Sequence, residues 1–385
     1  MFHKLLVSGD RADFTLLAFN PVNNELGVIA NYKAPFNASW VEVSASTHDI
    51  DHLIGLSEGD ESGLLYTFKI DHVRNTCEIT SQQPTLGAPA HFITLRDNSA
   101  VALATYMGGS VALYSASITK DDGLLLTDTP RVETLPAFPY EQVGHGPNAD
   151  RQRQCHIHQV VETRCGLLYA PDLGSDRVWI LRRHETKLEV CGWLECPAGT
   201  GPRHAVISPD EKIMYVIGEL SHTVIAFCLP SNPTNGILPL NGFAPNVIPP
   251  TVHPDHQYMM DAAEICLHPF ISNVLYVSNR WERHIKQRQP HLQNVPEDLP
   301  PGDDVAIILL SEDGTKVECI KHVRTGVDVI RGMRLSNGGQ FVVVVGQEGG
   351  GVEVYKIGGD KGDNWTLAAR LNDSIEGGLK HAIWL

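Results

Sequence analysis

The feature that most constrains this chain's fold is a unit that keeps returning. It has a small or polar opening, an apolar strand, turn chemistry of the Pro-Asp or Asn-Gly kind, a second apolar strand, and a third near "GSV" or "SDRV". It is read in "GAPAHFITLRDNSAVALATYMGGSVALYSASI", "CHIHQVVETRCGLLYAPDLGSDRVWILRRH" and "GPRHAVISPDEKIMYVIGELSHTVIAFCLP". It returns in "DAAEICLHPFISNVLYVSNRW" with "DVAIILLSEDGTKVECI", and in "IRGMRLSNGGQFVVVVGQEGGGVEVYKIGGD". A weaker copy is "SWVEVSASTHDIDHLIGLSEGDESGLLYTFKID". Units of about 45–60 residues, each with three or four short strands, are the signature of propeller blades. The strands are too β-branched, and too often interrupted by Gly, Asn and Asp, to be helices.

The two chain ends complete the count. "GGLKHAIWL" reads as the opening strand of a repeat with nothing after it, and "KLLVSG" with "FTLLAFNPVNNELGVIANY" reads as a repeat lacking its opening strand. Joining them closes a ring of seven blades and leaves no open sheet edge between first and last. The expectation is an all-β, seven-bladed β-propeller forming a single domain over 1–385. Two stacked β-sandwiches are the alternative, but sandwiches do not repeat with this regularity. Two Pro-rich, polar segments break the rhythm near 230–259 and 284–303, and both read as loop insertions.

Charge limits the partners. The 45 Asp and Glu against 30 Lys and Arg give a net charge of −15, a field that repels nucleic acid and anionic membranes. An anionic substrate then requires a local cluster of arginines. The eight cysteines are scattered without the Cys-x-x-Cys spacing of a zinc or redox site, and they read as buried small hydrophobes. No metal or cofactor is expected. With no signal-peptide pattern or membrane span, the reading is a cytoplasmic protein with reduced thiols. Self-association is left open.

Inner strands of a propeller line a central channel, so matching positions on different blades converge although far apart in sequence. His158 and Arg203 open inner strands of successive blades, and Glu219 follows the second strand of Arg203's blade. Arg280, in "LYVSNR", takes the place that Glu219 takes in "MYVIGEL", and Arg331 opens a later inner strand. His156, two residues from His158, shares its strand face. Singly these residues read as structural or solvated groups; together they read as a site. Imidazole and carboxylate supply acid–base chemistry, and arginines grip carboxylate or phosphate through forked hydrogen bonds.

At these residues the chain resembles the lactonase family of seven-bladed propellers, which holds bacterial-type 6-phosphogluconolactonases and fungal 3-carboxy-cis,cis-muconate lactonising enzymes. The best-matching stretches are "GHGPNADRQRQCHIHQVVETRCGLLYAPDLGSDRV" and "GTGPRHAVISPDEKIMYVIGEL". The resemblance implies a catalytic set of His158, Arg203, Glu219 and Arg280. His156, His204, Arg331, Gln347 and His91 are candidate substrate contacts beside that set. Departures fall at "ATY" (104–106) and "VGQ" (345–347). The activity implied is lactone-ring chemistry on a small carboxylate- or phosphate-bearing molecule, with hydrolysis of a sugar-acid lactone first. Cyclisation of a carboxymuconate is the alternative within the family, and a non-catalytic binding platform is the alternative outside it.

Overall fold

A computed structural model describes residues 2–385 except 186, 289–290, 292–294, 296–297, 373–374 and 376. Its strands form seven antiparallel sheets, the blades of a propeller. Blade 1 joins the two chain ends: inner strand Leu379–Trp384 pairs with His3–Gly9, and Asp13–Asn20 and Glu25–Lys33 follow outward. The register sets Leu5 against Trp384, Leu6 against Ile383 and Val7 against Ala382. The closing strand read from "LKHAIW" is thus the innermost of its blade.

The other inner strands are Ala38–Ser46, Pro89–Thr94, Val161–Glu162, Pro202–Ile207, Asp261–Leu267 and Asp328–Leu335, for blades 2 to 7 in order. Just ahead of the short blade-4 strand, Ile157 bridges Asp172, and the His158 N–H donates to the Pro171 carbonyl at 3.0 Å. The His-x-His segment therefore continues that inner strand.

The core consists of layers between blades. In "FVVVV", Phe341, Val343 and Val345 pack against blade 1, whereas Val342 and Val344 pack against blade 6. In "VAIILL", Val305, Ile307 and Leu309 face blade 7, and Ala306, Ile308 and Leu310 face blade 5. Alternate side chains of a strand point to opposite faces, so a sheet covered on both sides needs an unbroken apolar run. Each such side chain, fully buried, contributes about 1.5–3 kcal/mol. A layer also lies between blades 7 and 1, which closes the ring.

Blade 5 has only Pro202–Ile207, Ile213–Gly218 and Val224–Cys228. The first insertion serves as its outer edge. The Leu240 N–H donates to the Ala226 carbonyl at 2.7 Å, the Val224 N–H to the Pro245 carbonyl at 3.1 Å, and Ile237 bridges Leu194 of blade 4. The insertion then packs Ile248, Val252, Met259 and Met260 against Ile285 at the start of the second insertion. Positions 289–290, 292–294 and 296–297 of that second insertion lie outside the described residues. No helix among the described residues is long and apolar enough to cross a membrane.

A chain ending at Gly378 would lack blade 1's inner strand and uncover Leu5, Leu6 and Val7. We expect it to lose the cooperative thermal transition and to aggregate, as read by circular dichroism and size-exclusion chromatography. An unfolding midpoint equal to that of the full chain would show that closure is dispensable.

Candidate active site

The sequence motifs act first as scaffolding. Asp172 accepts from the His156 N–H at 2.6 Å, the Gly174 N–H at 3.0 Å and the Trp179 indole at 2.8 Å, which fixes the His-x-His segment. Asp176 accepts from the Gly199 and Gly201 N–H groups at 2.8 Å each and holds the turn before Arg203. Gly201 has φ +59°, and a Cβ there would meet Leu220 at 2.5 Å, so that turn requires glycine. The Gly201 carbonyl accepts the Glu219 N–H at 2.8 Å, which brings the carboxylate over Arg203.

Glu219 is the centre of the site. Its Oε1 lies 2.6 Å from Arg151 Nη2 and 3.3 Å from Arg280 Nη2, and its Oε2 lies 3.0 Å from Arg203 Nε. Burial alone would raise its pKa, but Arg280, Arg151 and Arg203 together hold it well below the usual carboxylate range. Arg203 also donates to the Ala263 carbonyl at 2.7 Å and to Glu264 at 3.3 Å. Arg280 donates to the Ala262 carbonyl at 3.0 Å, and its buried Nε has no partner among the described residues. Arg151 Nη2 reaches the Tyr106 hydroxyl at 3.3 Å, and its Nη1 lies 3.9 Å from Asp261. Side-chain exposure separates the three arginines: 34% for Arg151, 9% for Arg280 and 3% for Arg203. Arg203 is a pillar, and Arg151 is the group offered to the mouth.

The histidines lie beside this cluster. The His156 ring stacks on Tyr106 at 4.3 Å, and the His158 ring meets Tyr106 edge-on at 5.8 Å and His204 at 5.0 Å. Burial, then Arg203, His204 and Arg331, push the His158 imidazole far below its ordinary pKa, so it is neutral at pH 7. Its Nδ1 has no partner among the described residues.

Arg331 and Gln347 are not in contact with Glu219, and the His91 ring meets that of His204 at 5.7 Å. Arg331 pairs with Glu58 at 2.9 Å, next to Lys380, forming a second polar group contributed by blades 7, 1 and 2. Gln347 is half-buried, and its carbonyl accepts the Gly378 N–H at 2.9 Å. His91 stands at the channel's waist, against Trp40 at 4.4 Å. The Trp40 indole also meets His381 at 4.2 Å, His204 at 5.7 Å and Arg334 at 5.0 Å. These partners come from blades 3, 1, 5 and 7, so Trp40 reaches across the channel and divides it. Beyond it a cavity of about 1100 Å³ opens at the opposite end, lined by Trp40, His91, Gln159, Glu264, Arg334 and Trp384 among others. The arginines that hold Glu219 are not part of that cavity's wall.

Arg151, Glu264 and Trp40 were not named as site residues in the sequence, and Tyr106 was met only as the last residue of "ATY". Glu264 had a signal, because in "DAAEICL" it takes the place of His204 in "GPRHAVI" one blade earlier. The cysteines also differ from expectation. Cys155 and Cys196 are buried, but Cys165, Cys228 and Cys319 are exposed. Cys155 donates to the Pro136 carbonyl at 3.6 Å, and burial raises its pKa, which keeps it a thiol.

Replacing Glu219 by Gln removes the counter-ion shared by three guanidiniums. Breaking such a buried pair should cost about 3–5 kcal/mol near pH 7. A carboxylate with a depressed pKa stabilises the fold above its unfolded pKa of about 4.3 and loses that effect as pH falls toward the folded value. The difference between wild type and Glu219→Gln should therefore shrink in acid. Urea unfolding at pH 7 and pH 3.5 measures it, and equal stability at pH 7 would contradict the central role of this carboxylate.

Comparison with known proteins agrees with this architecture. Residues 8–372 match the family described as "Lactonase, 7-bladed beta-propeller". A protein of Arthroderma benhamiae named "Probable 6-phosphogluconolactonase" is 26% identical, over 90% of this chain and 80% of its own. The 6-phosphogluconolactonase of Formosa agariphila is 22% identical over 88% of this chain and 86% of its own. The structure of the Pseudomonas aeruginosa periplasmic gluconolactonase PpgL superposes with a TM-score of 0.75 at 20% identity, covering 100% of this chain and 99% of that one. The chain belongs to the lactonase family of seven-bladed β-propellers.

Proposed function

We propose that the protein hydrolyses the lactone of a sugar acid at the mouth formed by Arg151, Arg203, Glu219 and Arg280. The observation that carries this reading is the convergence of three guanidiniums on one buried carboxylate beside neutral imidazoles. Membership of the lactonase family and the names of the relatives support it.

Hydrolysis of a lactone needs an attacking water, a group to take its proton, and donors for the charge that develops on the carbonyl oxygen. Arg280 and Arg151 are the donors that face the mouth, and fixed positive groups in a partly desolvated site stabilise developing oxyanions strongly. Glu219 is held too weakly basic to take a proton near neutral pH. Its part is to fix the arginines. Proton transfer falls to the imidazoles, His158 or His204. Arg331 and Lys380, both paired with Glu58, offer a second group of donors for a distal anion such as a phosphate. The same imidazole-and-arginine set would serve carboxymuconate cyclisation, but the relatives' names favour opening of the ring. A small anionic lactone is thus the proposed substrate, and the cytoplasm the proposed compartment.

Proton release on fresh 6-phosphogluconolactone and glucono-lactone, followed by pH-stat, tests the reading. Wild-type protein should exceed the spontaneous rate on at least one of them. Arg280→Ala should lose roughly 10²–10³-fold in kcat, the typical loss for one oxyanion donor. A rate no faster than spontaneous on every lactone, or an unimpaired Arg280→Ala, would overturn it.

A further inference from the structure

The site holds two imidazoles that could accept the water's proton, and the structure distinguishes them by their neighbours. His204 Nδ1 lies 3.1 Å from Glu264 Oε2, and Glu264 Oε1 lies 3.3 Å from Arg203 Nη1. All three side chains are almost wholly buried. Burial opposes ionisation of Glu264, but His204 and Arg203 hold it down to about 2, so this carboxylate only accepts hydrogen bonds. The proton of a neutral His204 must then sit on Nδ1, which leaves Nε2 with a free lone pair. That Nε2 is buried and has no partner among the described residues. His158 Nδ1, on the preceding blade, is likewise buried without a partner among the described residues, and the two rings are 5.0 Å apart at 71°. Buried polar atoms without partners are rare enough in folded proteins to need a reason. His158, by contrast, makes no hydrogen bond to a carboxylate among the described residues, and the charges of Arg203 and Arg331 lower its pKa.

We propose that His204 is the general base of the hydrolysis, that Glu264 is the positioning residue that fixes its tautomer, and that His204 Nε2 and His158 Nδ1 together seat the attacking water. This rests on the hydrolytic reading above. The water gives a proton to His204 Nε2 as its oxygen bonds to the lactone carbonyl carbon, and the carbonyl π pair becomes an oxyanion facing the arginines. Collapse of this intermediate breaks the bond to the ring oxygen, which takes the proton back from Nε2. The product is the open hydroxy acid, one water having been added. Glu264 remains ionised and steadies the imidazolium, as the carboxylate of a carboxylate–histidine pair does.

The groups that face His204 set the sign of the pH dependence. Arg203 adjoins it, Glu219 and Glu264 supply negative charge, and His158, His91 and His381 surround it from other blades. Burial lowers the His204 pKa first, Glu264 raises it, and Arg203 lowers it again. Glu264→Gln removes the raising charge, so the acid limb of kcat/KM should move to lower pH. The Gln amide also donates to Nδ1 and moves the ring proton to Nε2, so the plateau should fall by roughly 10²-fold with KM little changed. His158→Gln should weaken activity without moving the limb.

A second measurement reads the wild type itself: nitrogen-15 NMR of labelled histidines, with His204→Asn serving only to assign the signal. An Nδ1-protonated His204 is expected. An Nε2-protonated His204, an acid limb unmoved in Glu264→Gln, or a limb displaced by His158→Gln instead would overturn the proposal. Absence of lactone turnover alongside the expected tautomer would overturn the hydrolytic reading, and the base assignment with it, but not the pairing of Glu264 with His204.

Discussion

The pairing of Leu379–Trp384 with His3–Gly9 is the constraint on which the rest depends. A propeller has no central core; its blades are stapled only to their neighbours, and every apolar layer needs both of its walls. Without that pairing, the layer that packs Leu5, Val7, Leu379, Ala382 and Trp384 against Val343, Val345 and Val354 is lost. The inner strands then lose the ring that aims their ends at one axis. A site whose members lie between residues 151 and 280 is in this way conditional on the two ends of the chain.

Within the ring, burial decides what each charged group can do. Glu219, Glu264 and Arg203 are withdrawn from water, and groups so placed persist only as a paired network. Arg203 spans the two carboxylates and ties the mouth to the waist. Glu219 is committed to the arginines, whereas Glu264 is committed to an imidazole. One carboxylate thus shapes an anion-binding surface and the other a proton-accepting one, although the residues are chemically alike. Trp40 completes this division by separating the arginine mouth from the cavity at the far end.

Much of this was legible in the sequence because repeats carry their own alignment. The number of blades, the closing strand and the convergence of Arg203, Glu219 and Arg280 all follow from matching positions. Arg151 was hidden because it comes from the long connection between blades 3 and 4, which has no counterpart in the other repeats. The outer edge of blade 5 was hidden as well, since a Pro- and Asn-rich segment pairing through isolated bridges has no strand periodicity. His91 and Arg331 sit at strand positions that the repeat identifies correctly. Which neighbour each would meet depended on a large side chain at the waist and on Glu58, neither of which the pattern reveals. Trp40 itself reads as an ordinary core aromatic, because nothing in the order of residues says that it crosses a channel.

The central claim is that chemistry occurs at the arginine mouth and not in the cavity beyond Trp40. Crystallography of the protein with an aldonic acid, gluconate or its 6-phosphate, tests this most directly. The product's carboxylate should lie on Arg151 and Arg280, with its carbon beside His158 and His204. An ordered product below Trp40, among Glu42, Arg334 and Trp384, with the arginine mouth free of it, would contradict the account.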